Sequence, residues 1–253
     1  HHYCSKVFSN VFYKIGSKYN LGLTATLRRA DQLEYTLNWF LGEVAVNIQL
    51  LIIEPTISVH SFYEYPDNTI KYLPNGKVNS AASITNVTRN DERDMFIINL
   101  IKESAANGRK ILVLSDRKAH CDKLKFILSN EDYSVGLYYG GMKKEQLQTS
   151  NKCKIIIATY QMASEGYDNP ELDTLILASP KCNIEQAVGR ILRKKNDNMP
   201  LVIDINDCIS IFNNWNKKRL SFYKSKKFSI NSSKLEHDLD ACSVSTDYLL
   251  RDI

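Results

Sequence analysis

A glutamine and two arginines near residue 190 have the spacing of a single helix face. Gln186, Arg190 and Arg193 are four and three residues apart, and Gly189 precedes Arg190. Residues at these separations project from the same side of a helix. Guanidinium groups donate paired hydrogen bonds to phosphate oxygens, and a glycine lets a ligand approach the backbone closely. The segment therefore indicates a phosphate site, although a surface helix with a few basic residues would show the same spacing.

The elements that would position this face alternate between helix and buried strand from residue 90 onwards. Continuous apolar runs, such as residues 111–114 and 155–158, are typical of parallel strands that are covered on both faces. Strands are expected at residues 110–114, 133–138, 154–159, 174–178 and 200–205. Helices are expected at residues 91–104, 117–129, from 143, at 183–192 and at 208–226. This alternation predicts an α/β fold with a doubly wound parallel sheet, whose working residues lie in loops at the carboxyl ends of the strands.

The composition is that of a globular protein that can bury a core, with 43% hydrophobic and 24% charged residues. No apolar run approaches the roughly 18–20 residues needed to cross a bilayer. The six cysteines are scattered, with no C-x-x-C pair and no clustered histidines. We therefore expect reduced thiols in an intracellular protein, with neither a disulfide framework nor a metal site in this chain.

Positive charge is concentrated in one part of the chain. Residues 181–227 contain eleven Lys and Arg against four Asp and Glu, whereas residues 228–253 contain two against five. A basic stretch favours a polyanionic partner, and a solvated helix face would explain it equally well. We expect aromatic residues of the last helix, such as Trp215, to pack it against the sheet. The cations of that helix that we expect to contact nucleic acid are Lys217, Lys218, Arg219 and Lys224.

Five segments, taken in order, resemble motifs of superfamily 2 helicases and translocases. They are residues 22–31 (GLTATLRRAD), 111–117 (ILVLSDR), 138–141 (YYGG), 159–168 (TYQMASEGYD) and 186–193 (QAVGRILR). The first departs from the usual pattern, since Leu27 stands where a proline is common. Residues 201–207 and 219–224 narrow the resemblance to helicases of large cytoplasmic DNA viruses, such as that of African swine fever virus and the poxvirus transcript-release helicase.

The resemblance implies a role for individual residues. Arg190 and Arg193 would be catalytic, because they would neutralise charge on the transferred phosphoryl group. The residues expected to bind ATP are Gly166, Asp168, Gln186, Arg190 and Arg193. The residues expected to hold nucleic-acid phosphates, besides those of the last helix, are Arg117, Tyr139, Gly140, Gly141 and Thr159. Thr24 and Thr26 would couple two lobes, or else serve only as a strand cap.

The sequence contains no G-x-x-x-x-G-K-[ST] phosphate loop. In superfamily 2, ATP lies between two similar lobes, of which the first supplies the phosphate loop, the Mg²⁺ ligands and a catalytic glutamate. The resemblance therefore implies that ATP and Mg²⁺ are required, that the metal ligands lie on a first lobe outside this fragment, and that the fragment alone is inactive.

The expected domain organisation follows the order of the motifs. It comprises the C-terminal tail of a first RecA-like lobe at residues 1–50, a connector with a strand and turns at 51–85, a second RecA-like lobe ending in a basic helix at 86–228, and an acidic tail at 229–253. Within the first part we expect helices near residues 5–19 and 31–40 and a buried strand at 20–24. His1 is either the last residue of a D-E-x-H box or, with His2, part of a purification tag.

The implied function is that of an ATP-dependent helicase or translocase that acts on nucleic acid, with DNA favoured over RNA. The protein would be a monomer, would need its first lobe for activity, and would not act at a membrane. Two alternatives stay open: a translocase that moves along duplex without unwinding it, and a nucleic-acid-binding module without hydrolysis. The viral resemblance implies a viral protein of transcription, located in the host cytoplasm or the virion.

Overall fold

The computed structural model describes residues 8–14, 16–23, 35–46, 54–164, 169–192 and 198–231. The chain divides into two compact units after Leu51. In the first unit, a short 3-10 helix at Phe8–Val11 and helix α1, Tyr35–Leu41, are the described elements. Phe12 and Phe40 stack there, with their ring centroids 4.5 Å apart.

The strand expected at residues 20–24 is wrong for the part that the structure describes. Residues 20–23 form no strand, and the side chains of Leu21 and Leu23 are 84% and 85% exposed. A strand needs a neighbour that pairs with its backbone N–H and C=O groups. Among the described residues of this unit there is no strand with which residues 20–23 could pair.

The second unit is built on a seven-stranded sheet in which every pairing is parallel. Its strands are β1 Thr56–Phe62, β2 Ile111–Ser115, β3 Val135–Tyr138, β4 Ile155–Thr159, β5 Thr174–Leu177, β6 Leu201–Asp207 and β7 Ser229–Ile230. They lie in the order β3-β4-β2-β5-β6-β1-β7. The helices of this unit are α2 Ser80–Val87, α3 Asp91–Ala106, α4 Lys118–Ser129, α5 Lys144–Ser150, α6 Tyr160–Ser164, α7 Glu185–Ile191 and α8 Ile211–Ser225. The α/β class and the parallel sheet expected from the sequence are confirmed.

Both faces of the sheet are covered by apolar cores. Strand β2 sends Leu112 and Leu114 into a core shared with α6, α7 and α8. It sends Ile111 and Val113 into a second core shared with α3 and α4, and all four side chains are fully buried. Because neither face meets water, polar residues are not needed at alternate positions, which explains the continuous apolar runs of the sequence.

The range 51–85, interpreted as a connector, supplies a strand inside this sheet. Strand β1 pairs with β6 on one side and with β7 on the other. Its Ile57 and Val59 are buried in the core that contains Leu220 of α8. Ser58, between them, is only half-buried. The range thus contains a strand, as expected, but this strand belongs to the sheet, which therefore begins before residue 86.

Two further elements were not expected. Helix α2 has mainly small and polar residues, and it begins because the Asn79 side chain accepts a hydrogen bond from the N–H of Ala82 at 3.1 Å. Strand β7 lies in the range 229–253, which was interpreted as an acidic tail. Its two residues are too few for a periodic pattern to reveal.

A buried ion pair joins the elements that meet at the carboxyl ends of β5, β6 and β1. Arg93 at the start of α3 contacts both carboxylate oxygens of Asp207, with Nε–Oδ1 at 2.5 Å and Nη2–Oδ2 at 3.1 Å. Arg93 also donates to the carbonyl oxygen of Ala178 at 2.7 Å, and the Tyr65 hydroxyl donates to Asp207. The Arg93 side chain is fully buried. Desolvation opposes its charge, but the charges and hydrogen bonds of Asp207 and Tyr65 together outweigh desolvation and raise the pKa of Arg93.

We expect Arg93→Met to lower the free energy of unfolding by about 3–5 kcal/mol, because Asp207 would stay buried without its cation. Urea titration followed by circular dichroism measures the loss. Lys110→Met is the matched control, since the Lys110–Glu171 pair is exposed to solvent on both sides and should contribute less than about 1 kcal/mol. Equal losses in the two variants would contradict the structural role of the buried pair.

Candidate nucleotide and nucleic-acid site

The loops that follow β2, β4 and β5 are bonded to one another at the carboxyl edge of the sheet. The ammonium group of Lys181 donates to Asp116 Oδ1 at 2.9 Å and lies 5.0 Å from the centroid of the Tyr160 ring. The Asp116 N–H donates to Ser179 Oγ at 2.8 Å, and the Tyr160 hydroxyl donates to the Ser179 carbonyl at 3.1 Å. Three segments that are distant in sequence therefore form one surface.

A buried chain of three polar side chains fixes the end of β2. His120 Nε2 lies 2.9 Å from Asp94 Oδ1, and His120 Nδ1 lies 2.9 Å from Ser115 Oγ. An ionised Asp94 can only accept, so we infer that Nε2 carries the proton and that Nδ1 accepts from the Ser115 hydroxyl. Ser115 Oγ in turn accepts from the N–H of Arg117 at 3.1 Å. The chain thereby sets the direction in which the loop after β2 leaves the sheet.

These three hydrogen-bonded residues have the residue types of a Ser–His–Asp hydrolase triad but cannot work as one. The Ser115 hydroxyl would have to reach a substrate carbonyl, and Ser115 is fully buried. Asp94 and His120 are almost as inaccessible, at 0% and 2% exposed. The three residues therefore support the loop and do not catalyse acyl transfer.

Arg219 is corrected from a nucleic-acid contact to a core residue. Its Nε donates to Asp204 Oδ2 at 2.8 Å, and its Nη1 donates to the Lys181 carbonyl at 2.8 Å. The Tyr223 hydroxyl donates to the same Asp204 oxygen at 2.9 Å. Arg219 is 3% exposed, so no phosphate can reach it. It holds α8 and the loop after β5 on the sheet.

The Arg117 side chain is likewise used within the protein. Its Nε donates to Thr85 Oγ1 at 2.9 Å and its Nη2 to the Ala81 carbonyl at 2.6 Å. Its Nη1 donates to the carbonyl of Asp116 at 3.1 Å. All three guanidinium nitrogens therefore have protein acceptors, and the structure favours a tether to helix α2 over the expected phosphate contact.

The loop of Tyr139, Gly140 and Gly141 is held against α4. The Tyr139 hydroxyl donates to Asp122 Oδ1 at 2.7 Å, a bond that raises the pKa of Tyr139 to about 12. Lys118 Nζ donates to the Gly140 carbonyl. Gly141 has φ +99°, a conformation that strains other residues. Within the described part of the chain, the N–H groups of both glycines have no acceptor, so they can donate to an anion.

Helix α7 carries three of the residues that were expected to form a phosphate-binding face. Gln186 and Gly189 are exposed and Arg190 is half-buried, and a side chain at Gly189 would meet no atom within 4 Å. The opposite side of α7 packs into the core through Ala187, Val188 and Ile191. The expected site residues that lie outside the described residues are Thr24, Thr26, Gly166, Asp168 and Arg193.

Thr159 and the exposed lysines of α8 lie in different places relative to the sheet. Thr159 is the last residue of β4, 9% exposed, and is paired with Ser115 of β2. Helix α8 starts after the carboxyl end of β6 and leads to β7, which pairs with the amino end of β1 at Thr56. Its exposed lysines, Lys217, Lys218 and Lys224, therefore run away from the edge that carries Thr159.

The charges that hold this edge together were missed in the sequence, although one signal was present. Asp204 and Asp207 interrupt an apolar strand, and a carboxylate inside a buried strand needs a cationic partner. The partners, Arg93 and Arg219, are far away along the chain and have no distinctive context. Among the described residues, no group of three or more His, Cys, Asp or Glu side chains could hold a metal ion.

We expect protonation of His120 to destabilise the fold in acid. Burial is the largest effect on this imidazole and lowers the pKa of His120 below its ordinary value, even though Asp94 acts in the opposite direction. Between the lowered folded pKa and the unfolded value of about 6.5, only the unfolded chain takes up the proton, so stability falls as the pH drops through this window. Urea titrations at pH 7, 6 and 5 should show a shallower pH dependence for His120→Gln. Parallel curves for variant and wild type would show that His120 does not titrate in this way.

Comparison with known proteins identifies a helicase domain. Residues 92–195 match the family described as Helicase conserved C-terminal domain. The chain is 36% identical over 251 residues to "Putative ATP-dependent RNA helicase L396" of Acanthamoeba polyphaga mimivirus, covering 94% of this chain and 48% of that protein. It is 25% identical over 249 residues to "Putative ATP-dependent RNA helicase QP509L" of African swine fever virus, covering 87% of this chain and 48% of that protein. The chain thus spans about half the length of these relatives.

The crystal structure of T4 UvsW matches with a TM-score of 0.54 at 21% sequence identity, over 78% of this chain and 44% of that one. This likeness shows a shared RecA-like α/β fold. No helix among the described residues is long and apolar enough to cross a membrane. The chain therefore carries a helicase conserved C-terminal domain and is related to helicase proteins of large DNA viruses.

Proposed function

We propose that this chain is the second half of an ATP-dependent helicase or translocase of superfamily 2, and that Arg190 and Arg193 contact the γ-phosphate of ATP. The observation that carries the proposal is the solvent-facing side of α7, where Gln186, Gly189 and Arg190 lie together within the matched domain. A module that only binds nucleic acid has no use for such a face. The names of the mimivirus and African swine fever virus relatives include ATP dependence, which supports the same activity here.

The chemistry that this face could perform is stabilisation of charge. When the terminal phosphoryl group is transferred, negative charge spreads over its oxygens, and an arginine beside it lowers the barrier. Arg190 would supply that guanidinium, Gln186 would orient the phosphate, and Gly166 and Asp168 would hold the nucleotide. Mg²⁺, when bound with ATP, would neutralise part of the phosphate charge. The proposed Mg²⁺ ligands lie on another lobe.

The carboxyl edge would hold the nucleic-acid backbone. The free N–H groups of Gly140 and Gly141 and the hydroxyl of Thr159 are donors that suit phosphate oxygens. Closure of two lobes on ATP, followed by opening after hydrolysis, would move these phosphate contacts along one strand. The relatives' names specify RNA, whereas the sequence resemblance favoured DNA, so the proposal extends to either nucleic acid.

The lysines of α8 would serve a different stretch of the ligand. Lys217, Lys218 and Lys224 are exposed, but α8 leads from the carboxyl edge to the amino edge of the sheet. A strand held by Gly140 and Thr159 would have to bend around the domain to meet all three lysines. We therefore propose that these three lysines contact phosphates in a different part of the nucleic acid from the stretch that is held at the carboxyl edge.

The test is Arg190→Ala in the full-length protein that contains this chain. We expect kcat for ATP hydrolysis to fall by roughly 10³-fold or more, because an arginine finger acts mainly on the transition state. Affinity for single strands should change by less than about twofold, since Arg190 is not proposed to touch them. ATPase assays at saturating nucleic acid and anisotropy titrations measure the two quantities.

Arg89→Ala is a matched control, because Arg89 is an exposed arginine between α2 and α3 that is not assigned to the ATP site. It should leave kcat unchanged. Arg190→Lys should recover little activity, because an ammonium group cannot donate the paired hydrogen bonds of a guanidinium. A kcat for Arg190→Ala close to that of wild type would refute the proposal.

A further inference from the structure

A short hairpin that no motif covers projects from the carboxyl edge. It spans residues 71–78, between β1 and α2, and Tyr72 and Val78 form an antiparallel bridge within it. The Leu73 N–H donates to the Lys77 carbonyl at 2.8 Å, and the Gly76 N–H donates back to the Leu73 carbonyl at 2.9 Å. Gly76 has φ +76°, the left-handed conformation that such a tight turn requires. The hairpin is therefore closed by its own hydrogen bonds.

The side chains of this hairpin are those of a single-strand contact. Tyr72 is 63% exposed and Leu73 is 41% exposed, although both are large and apolar. Lys71 and Lys77 flank them and are exposed, and the range 71–78 contains no acidic residue. An aromatic ring between cations can stack on a base while the cations meet the adjoining phosphates.

The hairpin is bonded to helix α2, which is itself packed against α8. The Lys71 N–H donates to Ser83 Oγ of α2 at 3.0 Å. On its inner side α2 buries Ile84 and Val87 against Phe212 of α8. An aromatic side chain on such a base loses little freedom when it contacts a ligand.

The tether of Arg117 joins the helix that follows the hairpin to the carboxyl end of β2. Arg117 lies two residues after β2 and binds Ala81 and Thr85 of α2, which are a few residues after the hairpin in sequence. Its neighbour Lys118 binds the Gly140 carbonyl in the loop after β3. Helix α2, to which the hairpin is bonded through Lys71, is thus held by Arg117, and the Tyr139–Gly141 loop is held by the next residue, Lys118.

We propose that the hairpin of residues 71–78 is a nucleic-acid contact in which the Tyr72 ring stacks on one base of the bound strand. Lys71 and Lys77 contact the phosphates on either side, and Arg117 acts as a positioning residue that holds α2 and the hairpin in place. This inference rests on the proposed function, because it requires that the carboxyl edge holds a strand.

The experiment compares Tyr72→Ala, Tyr72→Trp and Phe126→Ala in the full chain. Phe126 is a matched control, since it is an aromatic residue that is 68% exposed but belongs to α4 and not to the hairpin. Fluorescein-labelled single strands of DNA and of RNA, each about 16 nucleotides long, report affinity by anisotropy. Tyr72→Ala should bind roughly 5- to 100-fold more weakly than wild type, because a base–aromatic stack of this kind is lost. Tyr72→Trp should retain wild-type affinity, and so should Phe126→Ala.

Abasic sites placed one at a time in the strand identify the stacked base. At one position the abasic site should weaken wild type by the same factor as Tyr72→Ala, and the two changes together should weaken binding no further. If wild type binds single strands but Tyr72→Ala binds equally well, the hairpin inference is overturned and the proposed function stands. If wild type binds no single strand at all, both fail.

Discussion

The buried ion pair between Arg93 and Asp207 is the constraint on which the carboxyl edge depends. A guanidinium removed from water is tolerable only when acceptors surround it, and here Asp207 and the Ala178 carbonyl provide them. These acceptors belong to the ends of β6 and β5, while Arg93 begins α3. The pair can therefore form only when the carboxyl ends of β5 and β6 lie in the correct register beside the start of α3. It thereby fixes the positions from which the loops at this edge begin. Arg219 repeats the arrangement with Asp204 on the opposite side of the sheet.

Most of the second unit could be predicted from the sequence, because its strands are buried on both faces and its helices have apolar spacing. The strand at residues 155–159 and the helix at 91–106 lie within a few residues of their expected bounds. Pairing between distant strands could not be predicted, so β1 was assigned to a connector although it lies between β6 and β7. Helix α2 was missed because its stability comes from the Asn79 cap and from packing on α8, which local patterns do not show.

The site was only partly predictable, for a related reason. Spacing along a helix is local, so Gln186 and Arg190 could be placed on one face, and the structure has them there. Which groups an arginine side chain binds is not determined by its neighbours in sequence. Arg117 and Arg219 have the same side chain as Arg190, yet one tethers α2 and the other neutralises Asp204 in the core. How each arginine is used depends on carboxylates and carbonyls that come from elsewhere in the chain.

Amide hydrogen exchange at the end of β2 tests most directly whether the edge is held as one rigid surface. The N–H of Asp116 is bonded to Ser179, and the N–H of Arg117 is bonded to Ser115, so neither depends on a regular ladder. If buried charges hold these loops, both amides should exchange about as slowly as that of Val113 in the middle of β2, through large-scale opening alone. Exchange at the rate of an unstructured peptide, while Val113 stays protected, would contradict the account.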